Sequence, residues 1–318
     1  MFFEVTFPTL APVCLMILLG WGLHRSKRLP EDFFSGLNKL TFYIGLPAIL
    51  LVGIATSPFE AGPAFQVLYV LIATTVSITL LAYVCARLLR LPPPTTASFV
   101  QIAMRGNLAY IGLPVLFYAL DSLPPDMDPA SFKTAAMLVL APSVPLYNIA
   151  CVTILAHGAN RGAGHHPSKR EIAQKIITNP LIIACLAGLF LSTTGMGLPK
   201  TLERTLRPLG DMALPLALFS IGASFTQGKM RATFGRAAWA ASLLKVAIMP
   251  LIGVLFIRLF GVGNMEARMA LIFLACPTAI SGYVMAEQMG ADDKLAGSGV
   301  LLSTILAMLA LAVVLSIP

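Results

Sequence analysis

Apolar runs of roughly 20 residues, the length that spans a bilayer as a helix, follow one another through almost the whole 318-residue chain. Only 11% of the residues are charged and 57% are hydrophobic, against about 25% charged in an ordinary soluble domain. Too little polar surface exists to coat a water-soluble globule, so lipid must be the solvent for most of the chain. In lipid only helices or a closed barrel satisfy the backbone. The runs are continuous and lack polar–apolar alternation, which selects helices over a barrel. The pattern predicts ten spans, near residues 5–24, 33–55, 64–88, 96–119, 132–156, 176–194, 202–225, 235–260, 266–288 and 295–317.

The net charge of +8 carries no nucleic-acid signature, because the basic residues sit in short loops between spans. Arg25, Lys27, Arg28, Arg87, Arg90, Arg161, Lys169, Arg170, Lys175, Lys229, Arg231, Arg236 and Lys294 fall on one side. Lys133, Lys200, Arg204, Arg207, Arg258 and Arg268 fall on the other, with the acidic loop of Asp121, Asp126 and Asp128. The richer side is cytoplasmic by the positive-inside rule, which puts both termini in the periplasm of a bacterial inner membrane. The positives Arg25, Lys27 and Arg28 follow the first span rather than precede it, so that span reads as a retained helix rather than a cleaved signal. Cys14, Cys85, Cys151, Cys185 and Cys276 all lie in apolar spans without a CxxC pair and read as small buried hydrophobes. The four histidines lie at span ends or in the central linker, away from any buried metal site.

The two halves echo each other at an offset of about 168 residues, the kind of internal repeat found in secondary transporters. Pro12 matches Pro180, Gly20 matches Gly188, Leu46–Pro47 matches Leu214–Pro215 and Arg90–Leu91 matches Arg258–Leu259. A repeat of five spans, an odd number, must lie in opposite orientations in its two copies. The expected architecture is therefore an all-α membrane protein of ten helices in two inverted five-helix repeats, residues 1–157 and 176–318, joined by a cytoplasmic linker at 158–175.

Span four carries Arg105-Gly106-Asn107 and Gly112-Leu113-Pro114 inside an apolar run. Pro114 removes a backbone donor, and the glycines lower the cost of unwinding. An unwound stretch is tolerated in a membrane only where it lines a cavity. The N-terminus of the second half-helix then offers loose N–H groups and a partial positive charge to an anion. Span nine carries Cys276-Pro277-Thr278-Ala279-Ile280-Ser281, where Pro277 breaks the helix and Thr278 and Ser281 can satisfy freed backbone groups. The offset pairs Pro114 with Gly282, so the two breaks match within about one turn. Charges inside spans need a reason, since each costs roughly 2.5–3.5 kcal/mol at mid-bilayer on insertion scales. Arg105 can clamp a carboxylate or pair with a helix end. Lys245 in span eight and Asp211 in span seven can form a protonatable couple, or stand as separate interfacial charges. Lys39 reads as an interfacial, snorkelling side chain. No GxSxG, HExxH or P-loop occurs, which disfavours an ATP-driven pump or an intramembrane protease.

The stretch from Asn107 to Gly112-Leu113-Pro114, then Pro277-Thr278-Ala279 and Gly290-Ala291-Asp292, together with Leu46–Pro47, resembles the auxin efflux carrier family of bacteria and plants, within the bile-acid-transporter-like superfamily. The resemblance runs over nearly the whole chain. It implies that spans four and nine cross at their broken prolines, and that an elevator-like part moves against a scaffold. It implies transport of organic anions, auxin in plants and small carboxylates such as malonate or malate in bacteria. It makes Asn107 the expected carboxylate ligand. The second break departs from the plant pattern, with Cys276 and Thr278 and no asparagine. The candidate substrate site gathers Arg105, Asn107, Gly112, Pro114, Pro277, Thr278 and Ser281, with Asp211 and Lys245 as candidate coupling groups and no metal or cofactor. A sodium-coupled carrier of bile-acid-transporter type is the alternative. It uses acidic and amide oxygens at the crossover as sodium ligands. The crossover here has no acidic residue, which favours protons or uniport; a homodimer is left open. Reporter fusions test the topology: both termini should report from the periplasm and the linker near His165 from the cytoplasm, and a cytoplasmic C-terminus contradicts ten spans.

Overall fold

A computed structural model describes residues 6–56, 61–121, 129–159, 177–225 and 234–316. The central linker, the acidic loop residues Asp126 and Asp128, and the basic residues Lys229 and Arg231 lie outside the described residues. The described chain is helical apart from turns and one isolated bridge. Its helices are α1 (Phe7–Arg25), α2 (Asp32–Ala55), α3 (Ala61–Leu88), α4 (Pro93–Met104), α5 (Leu108–Asp121), α6 (Pro129–Ala159), α7 (Pro180–Thr194), α8 (Lys200–Asp211), α9 (Ala213–Ser224), α10 (Arg236–Phe260), α11 (Asn264–Ala275), α12 (Ile280–Gln288) and α13 (Asp293–Ser316). Among the described residues six helices are long and apolar enough to cross a membrane: α1, α2, α3, α6, α10 and α13; α5 and α7 are shorter apolar helices.

Local chemistry sets the ends of these helices. Prolines open α4, α6 and α7, where a missing N–H costs nothing. Asn179 caps α7 by accepting from the Leu181 and Ile182 amides. Gly195 and Gly261 end α7 and α10 in the left-handed region. Asp292 caps α13 through the Leu295 amide and also accepts from the Thr95 hydroxyl on α4, tying the two helices.

Three helical segments share a further device. π-helical turns occupy Thr41–Gly45 in α2, Leu108–Gly112 in α5 and Leu244–Ile248 in α10. Each ends two residues before a proline, Pro47, Pro114 and Pro250. In a regular helix each proline ring would collide with the carbonyl four residues earlier and leave it without a donor. The wider turn moves that carbonyl aside, so all three helices continue through their prolines.

Two groups of helices emerge from the packing. In the first, α1 lies along α9, α7 lies along α2, and α8 joins α2. In the second, α3 and α4 pack with α10, α11 and α13, and α6 packs on α3 and α4. α5 touches both, meeting α1 and α9 on one side and α6 and α11 on the other. In lipid no hydrophobic force drives helices together, so close approach must supply the attraction. α1 and α9 meet at such a contact: a Cβ at Gly20 would run into the Phe219 carbonyl, and one at Gly222 into the Ile17 carbonyl. Gly22, two residues along the same helix, faces open space. Gly20→Leu should therefore destabilise the purified protein by about 1–3 kcal/mol, while Gly22→Leu stays within about 0.5 kcal/mol. Thermal unfolding in detergent measures both, and equal effects would show that the helix contact is not tight.

Candidate functional site

α4 stops at Met104, and α11 stops at Ala275. The chain then runs extended through Arg105, with φ −92° and ψ 117°, and through Cys276, with φ −58° and ψ 145°. The two extended stretches cross. Gly106 pairs with Thr278 in an antiparallel bridge, and the Asn107 amide donates to the Pro277 carbonyl at 2.8 Å. The Thr278 amide donates to the Ser303 hydroxyl on α13 at 3.0 Å. Each break thus satisfies backbone groups that its helix gave up.

This arrangement corrects two sequence expectations. The first break lies at Arg105–Asn107 and not at Pro114, which the π-turn carries inside α5. The backbone freed at the second break is satisfied by Asn107 and Ser303, not by Thr278 and Ser281. The Thr278 hydroxyl is buried with no partner among the described residues. Gly112 is a packing position: a Cβ there would press on the Phe273 ring at 2.8 Å and the Cys276 sulfur at 3.0 Å. Its lack of a side chain lets α5 lie against the end of α11.

A cavity of about 580 Å³ opens beside the crossover, within the size range of small-ligand sites. Leu108, Ala109 and Tyr110 from the start of α5 line it, as do Ile280 and Ser281 from the start of α12. Two half-helix N-termini therefore border one space, each carrying roughly half a positive charge. Arg105, Asn107 and Ser281 of the predicted set line it too; Gly112, Pro114, Pro277 and Thr278 do not. No aspartate or glutamate is among the lining residues.

Arg105 is 5% exposed. Its guanidinium donates to the Asn148 side-chain oxygen at 2.6 Å, the Ser281 hydroxyl at 2.8 Å and the Met285 sulfur at 3.0 Å. All three partners are neutral, and among the described residues no carboxylate pairs with it. Such a cation is oriented by hydrogen bonds yet electrostatically open to an anion. Asn107 is 7% exposed, and its side chain does not cap the helix that follows it. Its side-chain carboxamide borders the cavity and can donate into it.

Lys39 and Asn38 stand exposed on the rim, and the Tyr110 hydroxyl donates to the Asn38 carbonyl at 3.4 Å. Sequence reasoning missed Asn38, Tyr147 and Asn148. The signal for Asn148 was present: a polar residue inside an apolar span, just after Pro142 and Pro145. Asp211 and Lys245 do not form a couple. Asp211 is exposed, whereas Lys245 is fully buried and donates to the Leu274 carbonyl.

A family model described as membrane transport protein matches residues 5–315. A Rhizobium meliloti protein named "Putative malonate transporter" is 23% identical over 92% of this chain and 89% of its own length. An uncharacterized transporter of Methanocaldococcus jannaschii is 21% identical over 94% of both chains. The uncharacterized transporter YfdV of Escherichia coli is 22% identical over 88% of this chain and 87% of its own.

The positive charge of the cavity can be neutralised by one change. Asn148→Asp sets a carboxylate within hydrogen-bond reach of Arg105 and supplies internally the anion the cavity lacks. The variant should melt no lower than its parent but lose stabilisation by added carboxylates, read by thermal shift. Undiminished stabilisation would show that anions bind away from Arg105.

Proposed function

The chain belongs to the membrane transport protein family, the family of the auxin efflux carriers, and from that premise we propose that it is a secondary carrier of small organic anions. One observation carries this reading: a buried arginine with only neutral partners and two half-helix N-termini border one cavity free of acidic residues. That chemistry attracts a carboxylate and, lacking a second buried cation at the cavity, lets it leave. Mono- or dicarboxylates such as malonate or malate fit, in keeping with the name of the Rhizobium meliloti relative.

The proposed architecture has ten spans in two inverted repeats, 1–157 and 176–318, around a cytoplasmic linker, with both termini in the periplasm of an inner membrane. The swapped packing supports it. Gly20 of α1 rests on α9 from the other half, and a Cβ on Gly188 of α7 would press on Ile54 of α2 at 3.0 Å, again from the other half. The breaks support it too: α4 and α11 are each 12 residues long, and each gives way to an extended residue, Arg105 and Cys276. In the proposed elevator motion, α1, α2, α7, α8 and α9 form the scaffold. The group containing α4 and α11 carries the crossover and its anion across the membrane. A proton is the coupling ion that fits an acid-free crossover, and a dimer would brace the scaffold.

In this reading Asn107 binds the carboxylate. An amide donates two hydrogen bonds without adding a charge, so it is cheaper to bury than lysine. A thermal-shift screen of the purified protein against small mono- and dicarboxylates should give saturable stabilisation. Asn107→Ala should then lose a charge-assisted hydrogen bond worth roughly 1.5–3 kcal/mol, a tenfold or greater loss of affinity. Arg105→Gln should weaken transport less, at equal levels of inserted protein. Unchanged affinity in Asn107→Ala would mean the carboxylate is held elsewhere.

A further inference from the structure

A fully buried lysine lies against the crossover, outside the lining of the cavity. Lys245 has no exposed surface and is not among the residues that line the cavity. It sits in the π-turn of α10, just before Pro250. Its ammonium donates to the Leu274 carbonyl in the last turn of α11 at 3.0 Å and to the Met249 sulfur at 3.0 Å. It also reaches the first break: a Cβ on Gly106 would stand 3.5 Å from Nζ. No acidic side chain pairs with it among the described residues, and a lysine ammonium has donors only.

Backbone charge supplies the missing counter-charge. α4 and α11 both end at the crossover, and each C-terminus carries roughly half a negative charge on unsatisfied carbonyls. Together they present about one negative charge, set against one ammonium. We propose that Lys245 is a built-in cation of the crossover: it neutralises the two convergent helix C-termini and fills the place that a loose alkali cation would otherwise take. Lys245 is thus a positioning residue. It holds the breaks in register so that the N-terminal ends of α5 and α12 stay aimed at the cavity. The crossover then needs no exchangeable sodium or potassium. This goes beyond the carrier reading and rests on the crossover geometry alone, so it is tested without a transport substrate.

The test is the thermal unfolding of purified full-length protein in detergent at constant ionic strength. The parent should melt at the same temperature in choline, sodium, potassium and lithium chloride. Lys245→Ala should melt several degrees lower. Millimolar propylammonium or methylammonium, which place an ammonium in the vacated space, should restore at least half of that loss while leaving the parent unmoved. Lys245→Met, which fills the space without a charge, should melt low and stay low in the same salts. A saturable rise of the parent's melting temperature in sodium over choline would overturn the proposal, because an exchangeable cation would then occupy the junction. So would a Lys245→Met protein as stable as the parent, or a folded Lys245→Ala protein that ammonium ions do not restore. Should Lys245→Ala fail to fold, the parent's salt series and Lys245→Met decide the matter.

Discussion

Two stretches of non-helical backbone occur in a chain whose long helices are built to cross a membrane, and hydrocarbon offers such backbone nothing to bond with. The hydrogen bond from the Asn107 amide to the Pro277 carbonyl, within the Gly106–Thr278 bridge, makes the arrangement tolerable. Each break serves as the partner of the other. Without the second, the first would have to close into a continuous helix or bury unsatisfied amides. The residues around the bridge follow from that need. Gly112 gives the Phe273 ring and the Cys276 sulfur room to approach, and Ser303 on α13 accepts the Thr278 amide that the bridge leaves over.

A crossing of two broken helices also sorts charge. The C-terminal ends of α4 and α11 bring negative ends together, and the N-terminal ends of α5 and α12 bring positive ends together. Lys245 faces the first pair from outside the cavity. The cavity opens beside the second pair, where Arg105 adds a full positive charge held by Asn148 and Ser281. Two buried cations thus stand in unlike surroundings. One donates to the backbone in a closed space, and the other faces a cavity that a carboxylate can enter.

Much of this was legible in the sequence. Composition and run length alone demanded a multi-pass helical protein, and glycine, asparagine and proline inside spans four and nine marked the two breaks. The position of the first break was not legible, because a proline marks a rupture only where no π-turn accommodates it. Pro47, Pro114 and Pro250 are each absorbed by a preceding π-turn, and the rupture falls two turns earlier, where Gly106 can approach Thr278. The role of Asn148 depends on α6 lying against the crossover, a contact that no local pattern encodes. Lys245 stood out as a charge within a span. Its partner did not, since a carbonyl at a helix end has no sequence signature, and Asp211, the acid read as its couple, lies exposed elsewhere.

The central claim is that a carboxylate sits at the crossover, between Arg105 and Asn107. Solid-state NMR in lipid bilayers measures this directly, through dipolar dephasing between a ¹³C-carboxylate ligand and protein labelled with ¹⁵N in its arginine side chains. The ligand is whichever small carboxylate stabilises the protein most. The account predicts dephasing from one guanidinium at contact distance, abolished by Arg105→Lys. Dephasing that survives Arg105→Lys, or none from a carboxylate that binds saturably, would place the anion away from the crossover and contradict the account.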